Sequence, residues 1–196
     1  MWLGLAIALA PMETRMLTYV GLAAQIVIAV VFLISGMSKL HSWSAVQEFA
    51  RSVRTLPLPA QLRTTRTALA IAATELIVPV LLAVPVTTRV GFGVAIALLA
   101  VFSCAVVKVL QSGQRVPCRC FGVSDVPMHA ADLLRNAVLI AIAAVGVVSQ
   151  AARPSALTIV GVALVLFVAA YVSVGAVFFD DLSWLVGLPT SPDIGA

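Results

Sequence analysis

Long apolar runs alternate with short polar gaps along almost the whole chain. Five runs stand out: Leu17 to Met37, Thr67 to Val84, Val90 to about Val109, Met128 to Val148, and Ser155 to about Phe178. Each is close to the ~18–20 apolar residues that a helix needs to cross a bilayer. A sixth run, Met1 to Pro11, is too short to cross on its own. It lacks a positive n-region and an A-x-A-like cleavage site, so a signal peptide is not expected, and Met12 or Met16 is an alternative start.

The gaps have distinct characters. Leu40 to Arg66 carries Arg51, Arg54, Arg63 and Arg66. Trp43 to Val53 within it reads as an amphipathic helix lying among lipid headgroups, stopped by the breaker Leu56-Pro57-Leu58-Pro59. Val86-Thr87-Thr88-Arg89 is a tight turn. Leu110 to Val126, punctuated by Gly113, Pro117 and Gly122 with Pro127 just beyond, is expected to be loop or short re-entrant structure. The linker Ser149 to Pro154 precedes the fifth run, and Asp180, Asp181 and Asp193 mark a solvated tail.

The pattern predicts an all-α integral membrane protein, a four-helix transmembrane bundle plus a fifth C-terminal transmembrane helix. Residues 1–16 are an N-terminal extension, 17–148 the four-helix membrane domain, 149–179 the additional transmembrane helix and 180–196 the acidic C-terminal tail. Composition agrees: 62% of the 196 residues are hydrophobic, against about 45–50% in soluble domains. The net charge of +4 then speaks of orientation among membrane lipids, and no nucleic-acid partner is expected. With five spans, the first gap and the fourth-span gap share one face. Lys39, Arg51, Arg54, Arg63, Arg66, Lys108, Arg115 and Arg119 fall there, and Arg15, Arg89 and Arg153 on the other. The positive-inside rule makes the richer face cytoplasmic, whereas a redox protein serving exported substrates would present it outside.

Two spans carry charge at depth. Glu75 interrupts the second span, which also contains Pro79, and an ionised carboxylate there costs about 2.5–3.5 kcal/mol on insertion scales. Arg135 and Asn136 lie within the fourth span after His129 and Asp132. Measured from the richer face, Glu75 and Arg135 both lie roughly 11–12 Å deep, so they are expected to pair, with Asp132 as the competing partner of Arg135. Lys39, at the end of the first span, is expected to snorkel to the interface. Ser35, Gly36 and Ser38 beside it let another helix approach.

The remaining chemistry lies in Val116-Pro117-Cys118-Arg119-Cys120-Phe121-Gly122. Thiols one residue apart close a strained, readily reduced ring, suited to passing on two electrons. Arg119, Arg115 and the start of the next helix supply positive potential that favours thiolate. Cys104 is either a resolving thiol or a small apolar filler. Two rivals stand beside thiol exchange. One is a metal site of Cys118, Cys120 and His129 with Cys104 or His41 as fourth ligand, although zinc cysteines are usually spaced C-x(2–4)-C. The other is a tight structural turn with inert thiols.

Ser35-Gly36-x-x-Lys39, Glu75, Pro117-Cys118-x-Cys120-Phe121-Gly122 and Arg135-Asn136, in that order, resemble the MauE family within the DoxX-like group of small helical membrane proteins. The resemblance covers about Leu17 to Val148. It implies a multi-pass protein of the cell membrane that works with a thioredoxin-like partner, MauD, in maturing the disulfide-rich small subunit of methylamine dehydrogenase. The implied activity is that of a thiol–disulfide oxidoreductase, with Cys118, Cys120, Glu75 and Arg135 as its site and Lys39, Arg119, Cys104 and Asn136 in support. DoxX-like relatives are linked to quinone-coupled oxidation, which makes a quinone a candidate acceptor, although no residue pattern marks a quinone site. Arg119 stands where glycine is expected between the cysteines. The alternative from another class is a non-catalytic membrane chaperone or transport component for the same client subunit.

Overall fold

A computed structural model describes residues 2–56, 59–113, 130–150 and 158–177, with side chains described from Arg15 onward. The described residues form six α-helices and no strand: α1 (Trp2–Leu40), α2 (Trp43–Thr55), α3 (Thr65–Ala83), α4 (Thr88–Ser112), α5 (Ala130–Ser149) and α6 (Ile159–Val177). A short 3-10 turn, Ala60–Leu62, precedes α3. Five of the helices are long and apolar enough to cross a membrane, and the exception is α2. The protein is an all-α integral membrane protein. The apolar start of the chain is continuous with the first span, because α1 begins at Trp2.

Local chemistry sets the helix ends. Ser42 accepts from the Ala45 N–H to start α2, and Thr64 accepts from the Thr67 N–H to start α3, each hydroxyl satisfying a donor with no partner inside its helix. The carbonyls at the other end of α3 are met by hydroxyls of the following turn. Thr87 Oγ1 donates to Leu81 O at 2.7 Å and Thr88 Oγ1 to Val84 O at 3.1 Å. Gln25 on α1 reaches across to donate to Leu82 O at 2.7 Å. α4 stops at Gly113, whose φ of 64° is the left-handed cap that glycine adopts freely. Pro79 does not break α3. It withholds the N–H that would bond the Glu75 carbonyl, a loss that membrane helices tolerate when packed among neighbours.

α1, α3, α4 and α5 form a closed ring in which each helix packs antiparallel on the next, and α6 lies outside it against α1. Val27, Ile28, Val31 and Phe32 from α1 meet Val78 and Leu82 from α3, Phe92, Ala95 and Leu99 from α4, and Leu139 and Ala143 from α5 in one apolar core. α6 runs parallel to α1, its start tied down where the Tyr19 hydroxyl accepts from the Thr158 N–H at 2.9 Å. It buries only the stripe Val165, Ala169 and Ser173 and turns its other faces outward. α2 lies across the ends of its neighbours. Ala50 and Val53 pack on Ala68 of α3, and Leu56, just beyond α2, packs on Val109 of α4.

α4 and α5 pack tightly where the Phe92 ring occupies the space that a Cβ on Gly146 would fill. In a core this tight an added side chain forces the backbone to move, at about 1–3 kcal/mol. A Gly146→Val chain is therefore expected to lose that much thermal stability in detergent. Gly93→Val, where nothing lies within 4 Å of the added Cβ, should melt with the unmodified protein.

Candidate functional site

The bundle is divided along its length. Its far half is the apolar core, and the half nearer α2 is crossed by a layer of buried polar side chains: Ser35 and Lys39 from α1, Glu75 from α3, and Asp132, Arg135 and Asn136 from α5. Helical spacing produces each contribution. Ser35 and Lys39 are one turn apart on one face of α1. Glu75 falls in the buried stripe Ala68, Ala72, Glu75, Val78, Leu82 of α3. Asp132, Arg135, Asn136 and Leu139 form the matching stripe of α5.

At the centre Lys39 Nζ donates to both carboxylate oxygens of Glu75, at 2.7 Å to Oε1 and 2.6 Å to Oε2, and to Ser35 Oγ at 2.7 Å. Ser35 Oγ in turn donates to Glu75 Oε2 at 3.3 Å. Both charged side chains are inaccessible, at 2% and 0% exposure. Phe49 of α2 and Phe102 of α4 cover the ammonium, with ring centroids 5.1 and 5.8 Å from Nζ, inside cation–π range. Gly36 makes the approach of α3 possible, since a Cβ there would lie 2.7 Å from Leu76 Cδ2.

The expected Glu75–Arg135 pair is thus corrected: Glu75 belongs to Lys39, and Arg135 Nη2 pairs with Asp132 Oδ1 at 3.1 Å along its own helix. Matching the depths of Glu75 and Arg135 did not allow for the reach of Lys39. The Cα–Cβ bonds of a helix tilt toward its N-terminus, so a long side chain near the end of α1 is carried back by a turn, to the level of Ser35. Lys39 therefore points inward, not to the interface.

Asn136 Nδ2 donates to Ser103 Oγ at 3.4 Å, and Ser103 Oγ donates to Leu99 O at 2.8 Å, linking α5 to α4 at the same level. Cys104, the next residue, faces outward from α4 and is exposed, so it is not a packed filler. Cys118, Arg119, Cys120 and His129 lie outside the described residues. In sequence the segment that carries them runs between Gly113 at the end of α4 and Ala130 at the start of α5. Among the described residues no group of three or more His, Cys, Asp or Glu is placed to hold a metal ion. Sequence reasoning missed Ser35 as a ligand of the ion pair and Phe49, Phe102 and Ser103 as its surroundings. The available signal was the Ser35–Lys39 spacing of one helical turn.

Comparison with protein families matches residues 17–149 to the family described as methylamine utilisation protein MauE. The chain belongs to the MauE family. The match begins within α1 and ends with α5, so it spans the four-helix ring and leaves α6 outside. Searches of curated proteins and of solved structures returned no match. The MauE region contains the whole polar layer and the segment with Cys118 and Cys120.

Removing one member of a buried ion pair strands the other charge, at about 3–5 kcal/mol, whereas replacing both by apolar side chains is often neutral. Lys39→Met and Glu75→Leu are each expected to lower thermal stability in detergent by that order. The double variant should recover most of the loss, and a double-mutant cycle measures the coupling.

Proposed function

We propose that this MauE protein, a multi-pass protein of the cell membrane, relays thiol–disulfide equivalents between the membrane and a thioredoxin-like partner during maturation of a disulfide-containing client subunit in methylamine utilisation. The observation that carries this reading is Cys118-Arg119-Cys120, two thiols one residue apart within the span that matches the family. Basic residues at Arg115 and Arg119 favour the thiolate that exchange requires.

In the reducing direction a thiolate of Cys118 or Cys120 attacks one sulfur of the partner's disulfide. That S–S bond breaks, a mixed disulfide forms, and the partner's other sulfur leaves as thiolate. The neighbouring cysteine then attacks the mixed disulfide, which closes Cys118–Cys120 and releases the partner as a dithiol. Two electrons pass from this chain to the partner. In the reverse direction a Cys118–Cys120 disulfide oxidises the partner's dithiol and is itself reduced to two thiols, and a membrane quinone would be the class of two-electron, two-proton acceptor able to reoxidise them.

The buried layer supports this chemistry by position. Lys39 with Glu75 joins α1 to α3 beneath α2, and Asn136 with Ser103 joins α5 to α4, the two helices that flank the cysteine segment. In this reading Glu75 and Arg135 act as positioning residues, each with its own partner, and Cys104 on α4 is a third thiol available for resolution.

Trapping tests the relay. A Cys120→Ser chain is expected to accumulate a mixed disulfide with a thioredoxin-like protein, visible on a non-reducing gel and lost on reduction. The Cys118→Ser/Cys120→Ser chain should form none and should fail to support client maturation. A double variant that matures the client normally, with no adduct from the single variant, would rule the relay out in favour of a non-catalytic chaperone or transport role.

A further inference from the structure

The polar end of the bundle holds a second concave feature, apart from the ion-pair layer. Between α2 and the first turn of α3 lies a recess of about 300 Å3 lined by Trp43, Gln47, Ala50, Arg51, Arg54 and Thr65. Trp43, Gln47, Arg51 and Arg54 recur every three or four residues, so they form one stripe along α2, beside the stripe of Val46, Ala50 and Val53 that is buried. Arg54 Nη2 donates to Thr65 Oγ1 at 2.7 Å, which fixes that guanidinium across the recess. Arg51 and Gln47 line it with no hydrogen bond or ion pair to any described residue. Trp43 leaves 69% of its surface uncovered.

We propose that this recess is a binding site for the phosphate of an anionic phospholipid in the leaflet beside α2. The charge is right: Arg51, Arg54, Arg63 and Arg66 outnumber the single acid of the region, Glu48. Guanidinium groups present paired N–H donors that match phosphate oxygens, and the positive end of the 19-residue helix α3, which begins at Thr65 on the lining of the recess, favours an anion there. The chemistry also selects a lipid over a soluble phosphate ester. α2 sits at the end of a membrane bundle with its apolar stripe packed inward, and the uncovered Trp43 ring borders the charged stripe. A ligand with a charged head and an apolar body meets both, and tryptophan is the residue that favours this depth in a membrane. The site is independent of the proposed thiol relay, because none of its residues belongs to that machinery.

The test uses the full chain purified in detergent and examined by native mass spectrometry with added phosphatidylglycerol or phosphatidylcholine. The unmodified chain should retain phosphatidylglycerol preferentially. Arg51→Gln should reduce that retention by about fivefold, the effect of one basic residue near an anionic surface. Arg51 has no partner among the described residues, so this substitution removes no contact within the described fold. Arg54→Gln, which also loses the Thr65 bond, should reduce retention at least as much, and Arg89→Gln at the other end of the bundle should leave it unchanged. Equal retention of the two lipids, or an Arg51→Gln chain with the original preference, overturns the proposal, as does binding of an acidic phosphopeptide that depends on Arg51 without any lipid preference.

Discussion

The ion pair between Lys39 and Glu75 is sealed on every side, and neither charge is tolerable in the bundle without the other. A lone carboxylate or ammonium at that depth would meet hydrocarbon and apolar side chains, so the pair fixes which part of α1 faces which part of α3. The remaining features of that half of the molecule are consequences. Gly36 has to be small for the helices to come close enough, Ser35 has to supply a hydroxyl to share the ammonium, and Phe49 and Phe102 close the space above it. Through Phe49 the pair also reaches the interfacial helix, so α2 is attached to the membrane bundle by more than its own apolar stripe.

Buried charges gather at one end because both faces of the problem favour it. In the far half, Phe92, Leu82, Ile28 and Leu139 pack without a charge among them, which is the cheaper solution in lipid. In the near half, four helices contribute charged or hydrogen-bonding side chains at one level, within reach of the polar surface where α4 ends and α5 begins. That arrangement cross-links α4 and α5, the two helices between which the segment carrying Cys118 and Cys120 runs in sequence. A proposed relay benefits from such a frame, since thiol exchange depends on how accurately a thiol is presented to its partner.

Much of this was legible in the chain. Hydropathy located α2 to α6 and the end of α1 to within a few residues, because the bilayer imposes a length that sequence cannot disguise, but it placed the start of α1 at Leu17 where the helix begins at Trp2. The small residues at the end of α1 correctly marked a close approach, which Gly36 makes against Leu76. Asp132 was read as a competitor for Arg135, and it is the partner. Lys39 was misread, since snorkelling outward and folding back inward are equally open to a lysine near a helix end. Only the carboxylate on the neighbouring helix decides between them.

The sequence alone determined the membrane class, the number of spans, the family motif set and the presence of a paired thiol in a basic polar gap, because these follow from local composition and spacing. The tertiary structure decided which charges meet. Four helices and an interfacial segment had to be brought together before Glu75 could be assigned to Lys39, Asn136 to Ser103, and the recess on α2 to the start of α3. Those pairings depend on helix rotation and on the direction in which long side chains lean, and no single stretch of the chain encodes either.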